Sequence, residues 1–119
     1  MHINIFKVGF FFCILLVTYL STTVREIEIV TNNWDKSNHF FAFFILYYFL
    51  YFGYKKKFAI NMIILLSFAI QVEIVQYFIP GRTFSILDII ADVIGIIFGY
   101  LIIMIYLFIK IKQKRKIII

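Results

Sequence analysis

Histidine, carboxylate and amide side chains recur at helical spacing within strongly apolar parts of this chain. Glu73 and Gln76 are three residues apart, and Asp88 and Asp92 are four residues apart, so each pair shares one face of a helix. His39 adds an imidazole. Such groups serve as general acids and bases and bind divalent cations. The pattern indicates a site for a proton, a cation or a polar substrate, or alternatively an internal ion-pair network that orders the helices.

Further polar residues lie close to these positions in the sequence. Arg82 follows Pro80 and Gly81 in a turn, where it could hold a phosphate or carboxylate or could instead neutralise Asp88 or Asp92. Ser85 stands three residues before Asp88, as a helix N-cap does. The candidate binding site therefore comprises nine residues: Asp35, Lys36, His39, Glu73, Gln76, Arg82, Ser85, Asp88 and Asp92.

His39, Glu73 and Asp92 are the candidate acids or bases of this site. His39 has a second interpretation, a helix cap or an interfacial hydrogen bond. The sequence has no nucleophile elbow, Gly-rich phosphate loop or Cys/His metal pattern, so we assign no metal ligands, and any cofactor is unknown. A His-Glu-Asp cluster could nevertheless hold a divalent ion. The single cysteine, Cys13, lies in an apolar run and is interpreted as a packing residue.

The segments that carry these residues are too apolar for a soluble domain. Hydrophobic residues make up 64% of the chain and the mean hydropathy is +1.00, a composition that would aggregate in water. The apolar residues form blocks and lack the alternation of barrel strands. Basic residues sit in short clusters between these blocks, which argues against a nucleic-acid partner.

A helix that crosses the hydrocarbon core needs about 20 apolar residues, and a lipid-embedded backbone must be helical. We therefore predict one all-α domain over residues 1–119, a bundle of four transmembrane helices. The first lacks the charged start and cleavage site of a secretory signal, so we expect it to be retained. The predicted helices cover about residues 5–22, 38–54, 58–79 and 86–109, and a basic tail covers residues 110–119.

Most of the twelve basic residues fall on one side of this arrangement: Lys7, Lys55–Lys57 and Lys110–Lys116. The positive-inside rule then places both termini in the cytoplasm and the polar cluster at the outer face. Glu73 and Asp92 each lie roughly 9 Å below the outer end of their helix, at about 1.5 Å per residue. Carboxylates at that depth require partners inside the bundle. Gly95-x-x-x-Gly99 continues the Asp88 and Asp92 face and favours close helix packing.

Three pieces of the sequence follow one another with apolar spans between them: Asp35-Lys36-x-x-His39-Phe40-x-Ala42-Phe43, Glu73-x-x-Gln76-x-x-x-Pro80-Gly81-Arg82 and Ser85-x-x-Asp88-x-x-x-Asp92-x-x-Gly95. In order and spacing they resemble the VanZ-like family of small bacterial membrane proteins, over roughly residues 34–100. This chain departs from the family pattern at Asp92, where Asn is usual, and the extra acid would be protonated or would need Arg82 or a cation.

The resemblance implies a multi-pass protein of the cell membrane with a role in the bacterial cell envelope. The family's namesake is associated with low-level resistance to the glycopeptide teicoplanin. The expected partners are membrane lipids and a cell-wall precursor or other envelope component that the site binds or shields. One alternative is a membrane enzyme acting on a lipid-linked or phosphorylated substrate, and another is an ion or proton pathway. A pathway needs polar residues through the full depth, whereas the inner halves offer only scattered candidates such as Asn61 and Ser67.

Overall fold

The computed structural model describes residues 4–22, 32–81 and 83–118, without the side chains of residues 32–35 and 118. Within these parts the chain is all helical and has no strand, which confirms the predicted four-helix fold class. The helices are α1 (Ile5–Thr22), α2 (Asn32–Tyr54), α3 (Phe58–Tyr77) and α4 (Ile86–Ile118).

Three helix boundaries differ from the apolar runs seen in the sequence. Helix α2 begins at Asn32, before its apolar run. Helix α4 continues through the basic tail to Ile118, where lysine, arginine and glutamine are good helix formers. Helix α3 ends at Tyr77, where Phe78 and Ile79 donate their N–H groups to carbonyls three residues back. This tightened turn leads to Pro80, which cannot continue the α-helical hydrogen-bond ladder.

Three helical segments in the described parts of the chain are long and apolar enough to cross a membrane: Ile5–Thr22, Phe58–Tyr77 and Ile86–Ile117. Helix α2 does not reach that apolarity, since its first turns are polar and it contains several tyrosines. It nevertheless reaches from one end of the bundle to the other. His39 contacts Asp92 near the start of α4, and Gly53 accepts a hydrogen bond from Asn4 beside the start of α1.

Helix α2 supplies much of the core of the bundle. Phe43, Leu46, Tyr47 and Leu50 are buried between the other helices. By contrast, α1, α3 and α4 expose many large apolar side chains on their outer faces. Exposed apolar faces of this extent are suited to contact with lipid rather than with water. The chain is therefore a membrane protein whose least apolar helix, α2, packs one face into the core against more apolar helices.

Two glycines of α4 allow α2 to approach closely. A Cβ atom at Gly95 would collide with the backbone carbonyl of Phe40, and one at Gly99 would lie 3.2 Å from the Tyr47 ring. Small residues at such positions bring helix backbones together in membranes. This contact fixes how α2 is rotated against α4, and hence where the side chains at their first turns point.

Candidate functional site

Four titratable side chains meet where α2 and α4 begin and α3 ends. His39 comes from α2, Glu73 from α3, and Asp88 and Asp92 from the first two turns of α4. None of these residues exposes more than 9% of its surface. Charged groups buried in an apolar bundle are costly unless they are paired and hydrogen-bonded, and each of the four has such contacts.

The His39 ring lies between the three carboxylates. Its Nδ1 is 2.8 Å from Asp92 Oδ1, a short hydrogen bond. Its Nε2 is 3.5 Å from Asp88 Oδ2 and 3.9 Å from Glu73 Oε1. With Asp92 ionised, Nδ1 carries the proton and donates it, because a carboxylate only accepts. Asp92 thereby orients the ring so that Nε2 faces the other two acids.

Ser85 ties the end of α3 to the start of α4. The backbone N–H of Ser85 donates to Glu73 Oε2 at 3.1 Å, and the Ser85 hydroxyl accepts from the backbone N–H of Asp88 at 3.3 Å. The second bond is the N-cap contact that the sequence predicts, three residues before Asp88. One oxygen of Glu73 is thus held by the loop while the other faces His39.

Gln76 connects the cluster to α1. Its side-chain Nε2 donates to the backbone carbonyl of Ser21 at 3.3 Å, and the residue is almost fully buried. Lys36 lies one turn before His39 on α2 and is half-buried. The remaining two predicted site residues, the side chain of Asp35 and the whole of Arg82, lie outside the described part of the chain.

A pocket of about 290 Å³ extends from this cluster between α1 and α2. One part of its wall is polar, formed by Ser21, Asn38, His39 and Gln76, and the rest is largely apolar. Such a wall suits an amphiphile, with a polar group beside His39 and an apolar chain along the helices. The other lining residues are Cys13, Leu16, Val17, Leu20, Ala42, Phe43 and Ile45.

The sequence-based site did not include the contribution of α1. The lining residues of α1 recur at positions 13, 16, 17, 20 and 21, which is the spacing of one helix face. That periodicity is visible in the sequence, but an apolar stripe on a membrane helix carries no chemical signal of its own. Asn38, adjacent to His39, was the one polar lining residue that proximity to the cluster could have added.

The cluster can hold a cation as well as move protons. Single ligand atoms of His39, Glu73 and Asp88 all lie within 4.8 Å of one another. The same groups, with Asp92 behind the imidazole, form a set of general acids and bases next to the pocket. The arrangement therefore suits either proton transfer to a bound molecule or coordination of an ion.

The fold and the site together define a class, a small helical membrane protein with a buried histidine–carboxylate cluster at one end of its bundle. The chain belongs to the VanZ/LLP1 family, whose model matches residues 3–109, and this confirms the family inferred from its motifs. The matched region contains α1, α2, α3 and the apolar part of α4. No curated protein and no solved structure matches the chain.

Proposed function

We propose that this protein is a multi-pass component of the bacterial cell membrane that binds or shields an amphiphilic component of the cell envelope at its outer face. The observation that carries the proposal is the pocket beside His39 and Gln76, whose wall is polar at the cluster and apolar along α1 and α2. A lipid-linked cell-wall precursor has the same division, with a polar headgroup on an apolar chain.

The proposed orientation places both termini in the cytoplasm. Exposed basic residues gather at the end of the bundle opposite the cluster, in Lys55–Lys57 and in the last turns of α4 with Lys114, Arg115 and Lys116. Basic residues of this kind favour the cytoplasmic side and contact anionic lipid headgroups. The His39 cluster would then face the outer leaflet, where envelope precursors are used.

We include α2 as the fourth membrane crossing in this proposal. Its ends meet opposite ends of the bundle, through His39 with Asp92 and through Gly53 with Asn4. The other helices pack against the face of α2 that carries its buried residues. Polar residues in the interior of a membrane bundle are tolerated where they have partners. Four crossings place the two termini on the same side, as the charge distribution requires.

Low-level resistance to teicoplanin is the phenotype we propose for this binding. A protein that occupies or shields a precursor at the outer leaflet would reduce the capture of that precursor by a glycopeptide. A modest effect is expected, since the antibiotic competes for the same component. The resemblance to the family's namesake and the pocket beside the His39 cluster support this proposal.

A membrane enzyme acting on a lipid-linked or phosphorylated substrate is the second candidate. The short Nδ1 contact of His39 with Asp92 favours it, because a carboxylate behind an imidazole fixes its tautomer for proton transfer. Glu73 is the other candidate acid or base. Turnover of the bound molecule distinguishes this candidate from simple binding.

The test is complementation of a strain that lacks the gene, scored by teicoplanin susceptibility. Wild-type protein should restore resistance, and His39→Gln and Glu73→Gln should not. Ser67→Ala is the matched control, because the Ser67 hydroxyl is exposed and bonds only within α3 among its described contacts, to Ile63. Membrane levels of each variant are measured by immunoblot. Full complementation by both cluster variants at normal levels would overturn the proposal.

A further inference from the structure

We infer that His39, Glu73 and Asp88 form a binding site for a divalent transition-metal ion, with Zn²⁺ as the probe. One ligand atom of each of these three buried residues lies within 4.8 Å of those of the other two. We take the ligand atoms to be His39 Nε2, Glu73 Oε1 and Asp88 Oδ2, the atoms of the closest contacts of Nε2 with the two acids. One imidazole nitrogen with two carboxylate oxygens is a ligand set that Zn²⁺ accepts. This inference concerns the cluster alone and does not depend on the envelope role.

The distances between these atoms fit a shared ion better than direct hydrogen bonds. His39 Nε2 is 3.5 Å from Asp88 Oδ2 and 3.9 Å from Glu73 Oε1, beyond the usual range of about 2.7–3.2 Å for an N–H···O bond. Two ligands bound tetrahedrally to one Zn²⁺ at about 2.0–2.1 Å stand roughly 3.3 Å apart. His39 Nε2 therefore stands near the required separation from each carboxylate, and rotation of the acidic side chains would bring all three ligands to bonding distance.

Two further contacts orient the ligands. Asp92 binds Nδ1 of His39 at 2.8 Å and so turns Nε2 toward the acids. A carboxylate behind a metal-binding histidine is a common outer-shell arrangement, and it makes the imidazole a better ligand. Ser85 donates its N–H to Glu73 Oε2, which leaves Oε1 on the side of His39. The ligands are thus held by their neighbours.

The ligand atoms, one imidazole nitrogen and two carboxylate oxygens, determine which cations the site prefers. Mg²⁺ and Ca²⁺ prefer oxygen ligands, whereas imidazole suits Zn²⁺ and its first-row neighbours. We therefore expect Zn²⁺ to bind in the presence of excess Mg²⁺.

The three protein ligands leave at least one coordination position for another group. Zinc sites that bind or transform molecules characteristically keep such a position open. His39 also lines the pocket of about 290 Å³, so a molecule held there would have its polar end beside the ion. A phosphate or carboxylate is the chemistry that could complete the coordination.

The experiment uses the full chain purified in detergent without a polyhistidine tag and stripped with a chelator. Zinc binding is measured by competition with a chromophoric chelator in excess Mg²⁺, and bound metal per chain is measured by mass spectrometry of the element. We expect one Zn²⁺ per chain. His39→Gln and Asp88→Asn should each weaken binding at least about 100-fold, and Asp92→Asn about 10- to 100-fold, as outer-shell changes do.

The matched control is His2→Gln, which removes the only other histidine of the chain and should leave the affinity unchanged. X-ray absorption of the zinc complex should show one imidazole with oxygen ligands, and His39→Gln should remove the imidazole signal. Because His39→Gln could disturb folding, Glu73→Gln and Asp88→Asn are compared by gel filtration and thermal unfolding. Absence of stoichiometric zinc, zinc that these variants retain, or equal binding of Mg²⁺ would each overturn the site.

Discussion

His39 on α2 and Asp92 on α4 are joined by a 2.8 Å contact between Nδ1 and Oδ1, just above the point where Gly95 meets the backbone of Phe40. The polar contact and the close helix approach are neighbours on the same α2–α4 face. Each therefore supports the other, since a shift of one helix along or around the other would break both.

The contact predicts different outcomes for two substitutions at Asp92. Asp92→Asn keeps an oxygen that accepts the Nδ1 hydrogen, so the free energy of unfolding should change little. Asp92→Ala leaves a buried donor without this acceptor and should cost about 1–3 kcal/mol. Thermal unfolding in detergent measures both. Equal stability of the two variants would mean that this bond contributes little to holding α2 on α4.

The two glycines of α4 predict different stability costs for the same substitution to alanine. Gly95→Ala would place a methyl group against the Phe40 carbonyl, and we expect overpacking to cost about 1–3 kcal/mol. Gly99→Ala would meet the Tyr47 side chain at 3.2 Å and the Phe44 carbonyl at 3.4 Å, contacts that need shifts of only a few tenths of an ångström. Its cost should be smaller, because the gain of up to about 1 kcal/mol in helix propensity, which both variants share, offsets more of a mild overlap. Unfolding midpoints in the opposite order would contradict the described packing.

The helices could be predicted from the sequence more fully than the site. The apolar runs indicate the approximate bounds of α1 and α3 and the start of α4, whereas α4 continues past its apolar run to Ile118. The early start of α2 at Asn32 was not foreseen, because the prediction followed the apolar run and a helix can extend beyond it.

The depth of Glu73 and Asp92 could be worked out from their distance to the helix ends, and both carboxylates do lie in one cluster with His39. The sequence did not indicate which carboxylate binds Nδ1 of His39 and which carboxylates face its Nε2. That choice depends on the rotation of α2 against α4, which is set by tertiary packing at Gly95. The pocket was missed for a similar reason, because it forms only when α1 packs beside α2.

The pocket predicts the effect of filling it. Ala42 is half-buried and lines the cavity, so Ala42→Trp should exclude an apolar chain. We expect this variant to lose resistance and to carry less copurified lipid, while it unfolds at nearly the normal temperature. Ala59→Trp is the matched control, because Ala59 is exposed on α3. If both variants behave like wild type, the pocket is not where the amphiphile binds.

The N-cap at Ser85 predicts a variant that is less stable but keeps the contacts of the His39 cluster. Ser85→Ala removes the hydroxyl that accepts from the Asp88 N–H and should cost about 1 kcal/mol. The bond to Glu73 comes from the backbone of residue 85, so it should persist. We therefore expect a lower unfolding temperature with resistance retained. Loss of resistance at normal membrane levels would show that the hydroxyl acts in the site itself.

The proposed orientation predicts which ends of the bundle can be labelled from outside the cell. Thr83 lies beside the cluster, Lys56 lies between α2 and α3 at the opposite end, and both are exposed. In a chain whose single cysteine is replaced by Cys13→Ala, a membrane-impermeant maleimide should label Thr83→Cys in intact cells. Lys56→Cys should react only after the membrane is permeabilised. The reverse pattern would place the His39 cluster in the cytoplasm, and labelling of both in intact cells would mean that α3 does not cross the membrane.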